Sequence, residues 1–243
     1  MKKITLMILA MLAMAQTHAA TSEAAVSTDS ISTEVPPTDS DGSEKPSHWK
    51  ADVNGFYMGM GVHHNWEAIN NSFEVGLLNA VSVQYDSHHG QLLSLGVGLH
   101  HRSYSVKRPN MLERDNAGVV VVGTYPSADA DEIKDRTSNL NVWTIQFPLM
   151  FQQTIYKKLS FHVAGILNWN TNARVDNHYE MNNTDHDIHY KGLKYNKVNF
   201  DLMGGLSLKG WGLYCRYSPG KVLKDGYGPE IKQTWSLGLT LAL

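Results

Sequence analysis

From Lys232 to Leu243 the chain alternates with a period of two. Gln233, Trp235, Leu237, Leu239, Leu241 and Leu243 fall on one side, and Lys232, Thr234, Ser236, Gly238, Thr240 and Ala242 on the other. Such a run predicts a β-strand with one large, mostly apolar face and one small, polar face. The pattern recurs upstream, and eight strands are predicted at 53–65, 73–85, 91–106, 139–154, 159–173, 196–208, 211–217 and 232–243. In the third, Leu93, Leu95, Val97 and Leu99 oppose Ser94, Gly96, Gly98 and His100. In the fourth, Trp143, Ile145, Phe147, Leu149 and Phe151 oppose Thr144, Gln146, Pro148 and Gln152. The first strand is less regular, and Asn79 interrupts the predicted outward face of the second.

Connections between these segments alternate in length. Short turns are expected around Ser87-His88-His89, Lys157 and Lys209-Gly210, and long loops at 107–137 and 174–195. Strands of about ten residues with large apolar side chains on one face and glycine or small polar ones on the other suit a closed sheet in lipid. A soluble barrel or sandwich would bury its large apolar face and show the polar one. The expectation is therefore all-β: an eight-stranded antiparallel transmembrane β-barrel with short periplasmic turns and longer extracellular loops. Eight strands enclose only enough room for side chains, so no open pore is expected.

The N-terminal region fits that destination. Lys2 and Lys3 precede an apolar run from Ile4 to Met14, and Thr17-His18-Ala19-Ala20 supplies small residues for cleavage. Residues 1–20 are thus expected to be a secretory signal peptide, too short to span a membrane as a helix. Residues 21–48 are rich in Ser, Thr, Asp, Glu, Ala and Pro and read as a disordered periplasmic linker, which leaves 49–243 for the barrel. Asp29-Ser30-Ile31 in that linker matches a short acceptor pattern for O-glycosylation. The formal charge of −2 falls to −4 without the two signal lysines, which argues against a nucleic-acid partner. The single cysteine, Cys215, excludes an intrachain disulfide. Mean hydropathy is −0.31, but a barrel confines its hydrophobicity to every second residue, so this average excludes little.

Strand parity and turn position also predict a register. Centring the turn on His88 sets Glu74 opposite Arg102, Leu78 opposite Gly98 and Ala80 opposite Gly96. A two-residue turn at Lys209-Gly210 sets Met203 opposite Arg216, with Asp201 on the diagonal. Two opposite-charge pairs are therefore expected inside the lumen, where burial of charge requires partners. Pro148 lacks an N–H in mid-strand, so a bulge or a local break in pairing is expected there. Ser218-Pro219-Gly220 is expected to end the seventh strand.

The signal segment, the strand Val142-Trp143-Thr144-Ile145-Gln146-Phe147-Pro148-Leu149-Met150-Phe151 and the ending Thr234-Trp235-Ser236-Leu237-Gly238-Leu239-Thr240-Leu241 together resemble the small outer-membrane β-barrels of Bacteroidota called PorT-like. The resemblance covers residues 50–243 and is one of pattern. It implies the fold and the cell outer membrane, and no particular chemistry. Many outer-membrane barrels end in an aromatic residue, whereas this chain ends in Leu243.

Two groups invite a chemical reading. The loop segments Asp176-Asn177-His178-Tyr179-Glu180 and Asp185-His186-Asp187-Ile188-His189 offer imidazole and carboxylate ligands for a divalent metal, without the spacing of a known site; the other reading is a solvated loop. His101 and Ser103 lie two apart on the outward face near the extracellular end of the third strand. An outward His-x-Ser there is similar to the catalytic pair of outer-membrane lipid A deacylases, but Tyr104 follows in place of the usual Asn, and the fourth strand brings no acid. Glu113, in the adjoining loop, would have to fold back to serve. The simpler reading is a polar pair at the membrane interface. The sequence thus leads to a non-enzymatic envelope protein, serving secretion, adhesion or surface interaction, with no catalytic, cofactor or metal residues assigned. The alternative is a lipid A-modifying acyl hydrolase using His101 and Ser103. Expected partners are outer-membrane lipid, the barrel assembly machinery and an envelope protein.

Overall fold

The computed structural model describes residues 49–63, 69–87, 90–125 and 133–241, so the predicted signal peptide, linker, and turn residues His88 and His89 lie outside the described residues. All described regular structure is β. The strands are β1 (Trp49–His63), β2 (Ile69–Asp86), β3 (Gln91–Val106), β4 (Asn110–Arg114), β5 (Val120–Thr124), β6 (Ile133–Tyr156), β7 (Leu159–Met181), β8 (Thr184–Tyr190), β9 (Val198–Leu208), β10 (Trp211–Ser218) and β11 (Thr234–Leu241).

Eight of them close on themselves. The ladder runs β6–β3–β2–β1–β11–β10–β9–β7, and a further β6–β7 pairing completes an antiparallel ring without a free edge. Closure follows from the last strand meeting the first: Phe56 pairs with Leu241, and His63 with Thr234. The eight predicted strands are these eight, with shifted ends. Lys232 and Gln233 drop out of the last one because Gln233 adopts φ 52, which breaks the extended run.

The two faces of the ring are inverted relative to a soluble protein. Outside stand Val62, Val81, Leu213 and Leu237, each about two-thirds exposed (70, 66, 66 and 65%), with Leu95, Leu149 and Leu206 among the others. Inside are Glu74, His100, Arg102, Gln146, Asp201 and Arg216, all buried. Outward aromatics gather towards the two ends. Trp143, Trp169, Tyr217 and Trp235 lie on the long-loop side, and Tyr85, Phe151, Phe161 and Trp211 near the short turns. From Trp143 to Phe151 the strand rises roughly 25 Å, or about 20 Å along the axis of a tilted barrel.

The predicted register holds in part. Glu74 pairs with Arg102, and Met203 with Arg216, but only the second follows from its turn: beside the β2–β3 turn Asp86 pairs with Leu92, a centre one residue past His88, and a bulge in β2 shifts the register back before Glu74. Lys209 and Gly210 take φ 54 and 84, the left-handed pair of a two-residue hairpin turn. Beyond Leu77, however, β2 carries two extra residues. Val81 pairs with Val97 and Ser82 with Gly96, so Ala80 does not face Gly96, and Leu78 has no direct partner in Gly98. The bulge turns both Leu78 and Asn79 inward, each fully buried, so Asn79 does not interrupt the outward face. Pro148 gives a break in pairing and no bulge. It pairs with Ile166 on β7, while the β3–β6 ladder lapses at Gly96 and Val97 and resumes in the same register. The bulge, the lapse and Gly96 are neighbours, so one irregularity crosses three strands.

The long connections hold more structure than the sequence suggested. Within 107–137, β4 and β5 form a hairpin closed by Asp115, whose carboxylate accepts from the Val119 N–H at 2.7 Å. Within 174–195, β7 continues to Met181 and turns at Asn182-Asn183 (φ 52 and 61) into β8. One extra residue near Thr171 flips the parity of β7, so that Val175, Asn177 and Tyr179 point inward. At this end the ring is capped from within by an apolar cluster. Ile69, Tyr104, Leu140 and Val175 on the strands meet Leu112, Leu193, Leu223 and Ile231 from the connections. A second buried cluster, including Leu78, Met150, Ile166 and Met203, lies further along the lumen.

Candidate functional site

The lumen holds a neutral polar network built around two ion pairs. Arg216 Nε and Nη2 both donate to Asp201 Oδ2, at 2.8 and 2.5 Å. Its Nη1 donates to the Tyr57 hydroxyl at 2.8 Å, and Tyr57 donates in turn to Gln146 Oε1 at 3.0 Å. Gln146 Nε2 then donates to the Leu77 carbonyl at 2.9 Å, which anchors the β2 bulge to the network. In the other half, Arg102 Nε donates to Glu74 Oε2 at 2.9 Å, and Arg102 Nη2 bonds the same oxygen. Tyr214 donates to Glu74 Oε1 at 2.7 Å, while Arg102 Nη1 reaches Ser218 Oγ at 3.0 Å. His100 Nε2 lies 3.3 Å from Glu74 Oε2. The Tyr57 and Tyr214 rings meet edge to face at 5.6 Å and join the halves. Every one of these four charges therefore has a partner of opposite sign, and Glu74, Arg102 and Arg216 have further hydrogen bonds, the condition under which buried ions are tolerated.

Between this network and the apolar cap remains a cavity of about 30 Å³, lined by His100, Arg102, Asn168, Asn170, Asp201 and Ser218 among others. That is the room taken by a single water in the liquid. The arrangement can hold strands in register and block passage.

A second polar assembly faces outward where β3, β6, β7 and β8 leave the apolar belt. His101 and Ser103 are half-buried there, on one face, as the alternation of β3 requires. Trp143 packs on His101 with ring centres 4.5 Å apart, and Asn141 lies one residue pair further along the same outward face. The Asn141 amide donates to Asp176 Oδ2 at 2.7 Å, and Arg174 Nε reaches that oxygen at 2.8 Å. Strand β6 indeed brings no acid to His101. One comes from β7 instead, through Asn141, which sequence reasoning missed. The parity flip at Thr171 hides it, since Asp176 faces outward only after that extra residue. Glu113 lies on β4 against Gly123, across its own hairpin.

Two imidazole–carboxylate pairs of 176–189 run across the hairpin. His178 Nδ1 meets Asp187 Oδ1, and His189 Nδ1 meets Asp176 Oδ1, both at 2.8 Å. His186 stacks on Tyr179, with centres 5.0 Å apart. Among the described residues no three His, Cys, Asp or Glu side chains gather as a metal-ligand set. The segment is a paired hairpin and not an open loop. Its signal was Asn182-Asn183, a dipeptide that suits left-handed turn positions. No protein-family model matches the chain, and no curated protein matches it.

Proposed function

We propose that the chain is an integral outer-membrane β-barrel of the PorT-like kind, with a closed lumen and no enzymatic activity, acting in an envelope process through its outer hairpins. The observation that carries this reading is the inversion of the ring. Large apolar side chains cover the outside, and a fully partnered charge network fills the inside. In water that exterior would be a contiguous apolar surface far larger than monomeric proteins expose. The signal-like N-terminus agrees with an envelope destination.

The native cysteine tests the reading. Cys215 lies on β10 between outward Leu213 and Tyr217, opposite Leu237. In cells, a membrane-impermeant maleimide should leave it unlabelled, and the same reagent should react once the protein is unfolded in denaturant at neutral pH, where the thiol reaches water and can ionise. The protein should fractionate with outer membrane and migrate faster on gels before boiling than after. Recovery as a soluble periplasmic monomer, with Cys215 open to the impermeant reagent, would end this reading.

One observation favours a second reading. The group His101, Asn141, Asp176 has the orientation logic of a nucleophilic site, with an amide next to the imidazole on the outward face and a carboxylate holding the amide. Ser103 on the same face would be the nucleophile of a lipid A acyl hydrolase. Mass spectrometry of lipid A from cells with the wild type, Ser103→Ala or no protein separates the two. An acyl chain lost only with the wild type makes the protein an enzyme; identical lipid A in all three leaves the non-enzymatic reading.

A further inference from the structure

Strand β8 stands outside the closed ring. It pairs with β7 on one side, and among the described residues no strand pairs with its other side. Its turn decides which backbone groups are left free. Asn182 and Asn183 take φ 52 and 61, the two left-handed positions of a two-residue hairpin turn, so the flanking Met181 and Thr184 exchange both backbone hydrogen bonds. Alternation then gives the same bonding to Tyr179 with His186, Asn177 with Ile188 and Val175 with Tyr190. Asp185, Asp187 and His189 fall between those pairs and aim their N–H and C=O groups away from β7. All three are exposed, and among the described residues none makes a backbone bond to another segment on that side. This open row of donors and acceptors spans roughly 13 Å.

An open row of strand N–H and C=O groups is completed by another extended backbone. The side chains beside it select which one. Asp185, Asp187 and His189 share the outer face of the hairpin with Asp176, His178 and Glu180, so carboxylates predominate there. Of the cations in this outer sheet, Lys134 and Arg174 belong to β6 and β7, away from the free edge, and Lys191 follows the last residue of β8. A second β8 laid antiparallel and centred on the row would set Asp187 against Asp187, and like charges directly opposite oppose pairing. A strand with basic residues at alternate positions would instead set them against Asp185 and Asp187. On its other face it would meet Ile188 and Tyr190, both half-buried, which suits apolar residues in between. We propose that the free edge of β8 takes up an extended segment of a partner protein in which basic and apolar residues alternate. The proposal rests on the reading that the protein acts through its outer hairpins, and it names what one of them binds.

The probe is a capped, fluorescently labelled peptide of about eight residues alternating Lys and Val, long enough to cover the row. Its binding to the full chain in non-ionic detergent is read by anisotropy, and NMR should show the Asp185, Asp187 and His189 amides protected from hydrogen exchange only when the peptide is bound. N-methylation at the Lys positions, which removes the N–H groups that face β8, should weaken binding about tenfold or more, whereas N-methylation at the Val positions should leave it within about twofold. A peptide alternating Glu and Val should not bind. Asp185→Lys with Asp187→Lys should cost the Lys and Val peptide about tenfold or more, with the heat-modifiable gel migration of the barrel unchanged. Equal effects of the two methylations would mean charge attraction without strand pairing and overturn the proposal, as would undiminished binding by the double variant. Protection of the three amides before any peptide is added would mean that the chain's own residues fill the edge, and would overturn it too. Fractionating the cells keeps the two readings apart. A protein in the outer membrane that does not bind the peptide sinks this inference alone, whereas a soluble protein sinks the reading it rests on.

Discussion

At the scale of single residues, the fold is governed by what a buried charge needs. Glu74 and Arg102 sit opposite each other on β2 and β3 and are sealed from solvent, so neither can lose its partner cheaply. Removing one member of such a pair costs on the order of 3–5 kcal/mol, because the survivor stays buried and unpaired. Glu74→Ala and Arg102→Ala should each destabilise the protein by about that much. The double variant should cost less than their sum by at least ~1 kcal/mol, as urea unfolding in lipid vesicles would measure. Additive costs would mean that water satisfies each charge separately. Strand parity made this pair legible, but not the turn: that turn is centred one residue past His88, and the unforeseen bulge in β2 shifts the register back so that Glu74 still meets Arg102. Arg216 near Asp201 was legible through the Lys209-Gly210 turn itself. Tyr57, Gln146 and Tyr214, which complete the network, were not: register says which residues oppose, and not which side chains span the lumen.

At the scale of elements, the departures from regular pairing show where sequence patterns lose their hold. Alternation stays readable while one face is apolar and the other small. Past the belt, outward residues such as Ser105, Asn139 and Asp176 are as polar as inward ones, and the contrast vanishes. That is why 107–137 and 174–195 read as loops, although β4, β5 and the outer parts of β6 and β7 lie there. The bulge in β2 was hidden for another reason, since Leu78-Asn79-Ala80 contains neither glycine nor proline. Its imprint is on the neighbouring strand. A Cβ at Gly98 would lie 2.2 Å from the Leu78 carbonyl oxygen and 2.3 Å from that of Leu77, both backbone atoms that cannot step aside. Gly204, on β9, would place its Cβ no closer than 3.7 Å to anything. Gly98→Ala should therefore cost about 1–3 kcal/mol or reduce assembly into the membrane, while Gly204→Ala should be close to neutral. Heat-modifiable gel migration of the two variants would tell them apart. Equal behaviour would mean that the bulge can relax.

At the scale of the whole molecule, the ring is filled along its length, and on the outer-membrane reading proposed above this decides whether it could conduct ions. Nearest the long connections is the apolar cap of Leu112, Leu193, Leu223, Ile231 and their neighbours. Next come the Arg102 and Arg216 network and the cluster of Leu78, Met150, Ile166 and Met203, which interleave, with Met203 opposite Arg216 and Ile166 opposite Asp201. The cap is held by apolar packing, whereas this deeper region combines packing with paired charges. The wild type in planar lipid bilayers should show no steady ionic conductance. Arg216→Ala should destabilise the chain, since it strands Asp201 and frees Tyr57, yet still give no channel, because apolar side chains continue to fill the lumen in the cap and beside Arg216. Removing residues 110–124, which contribute Leu112 and Val120 to the cap, should likewise leave the bilayer tight. Only when the hairpin deletion is combined with truncation of both the network and the second cluster, for example Arg216→Ala with Met150→Ala and Met203→Ala, should openings appear. Even these should be small, as eight strands enclose little more than side chains. Stable conductance from the wild type or from Arg216→Ala alone would show that this filling is mobile, and that a passage exists where the packing leaves room for about one water molecule.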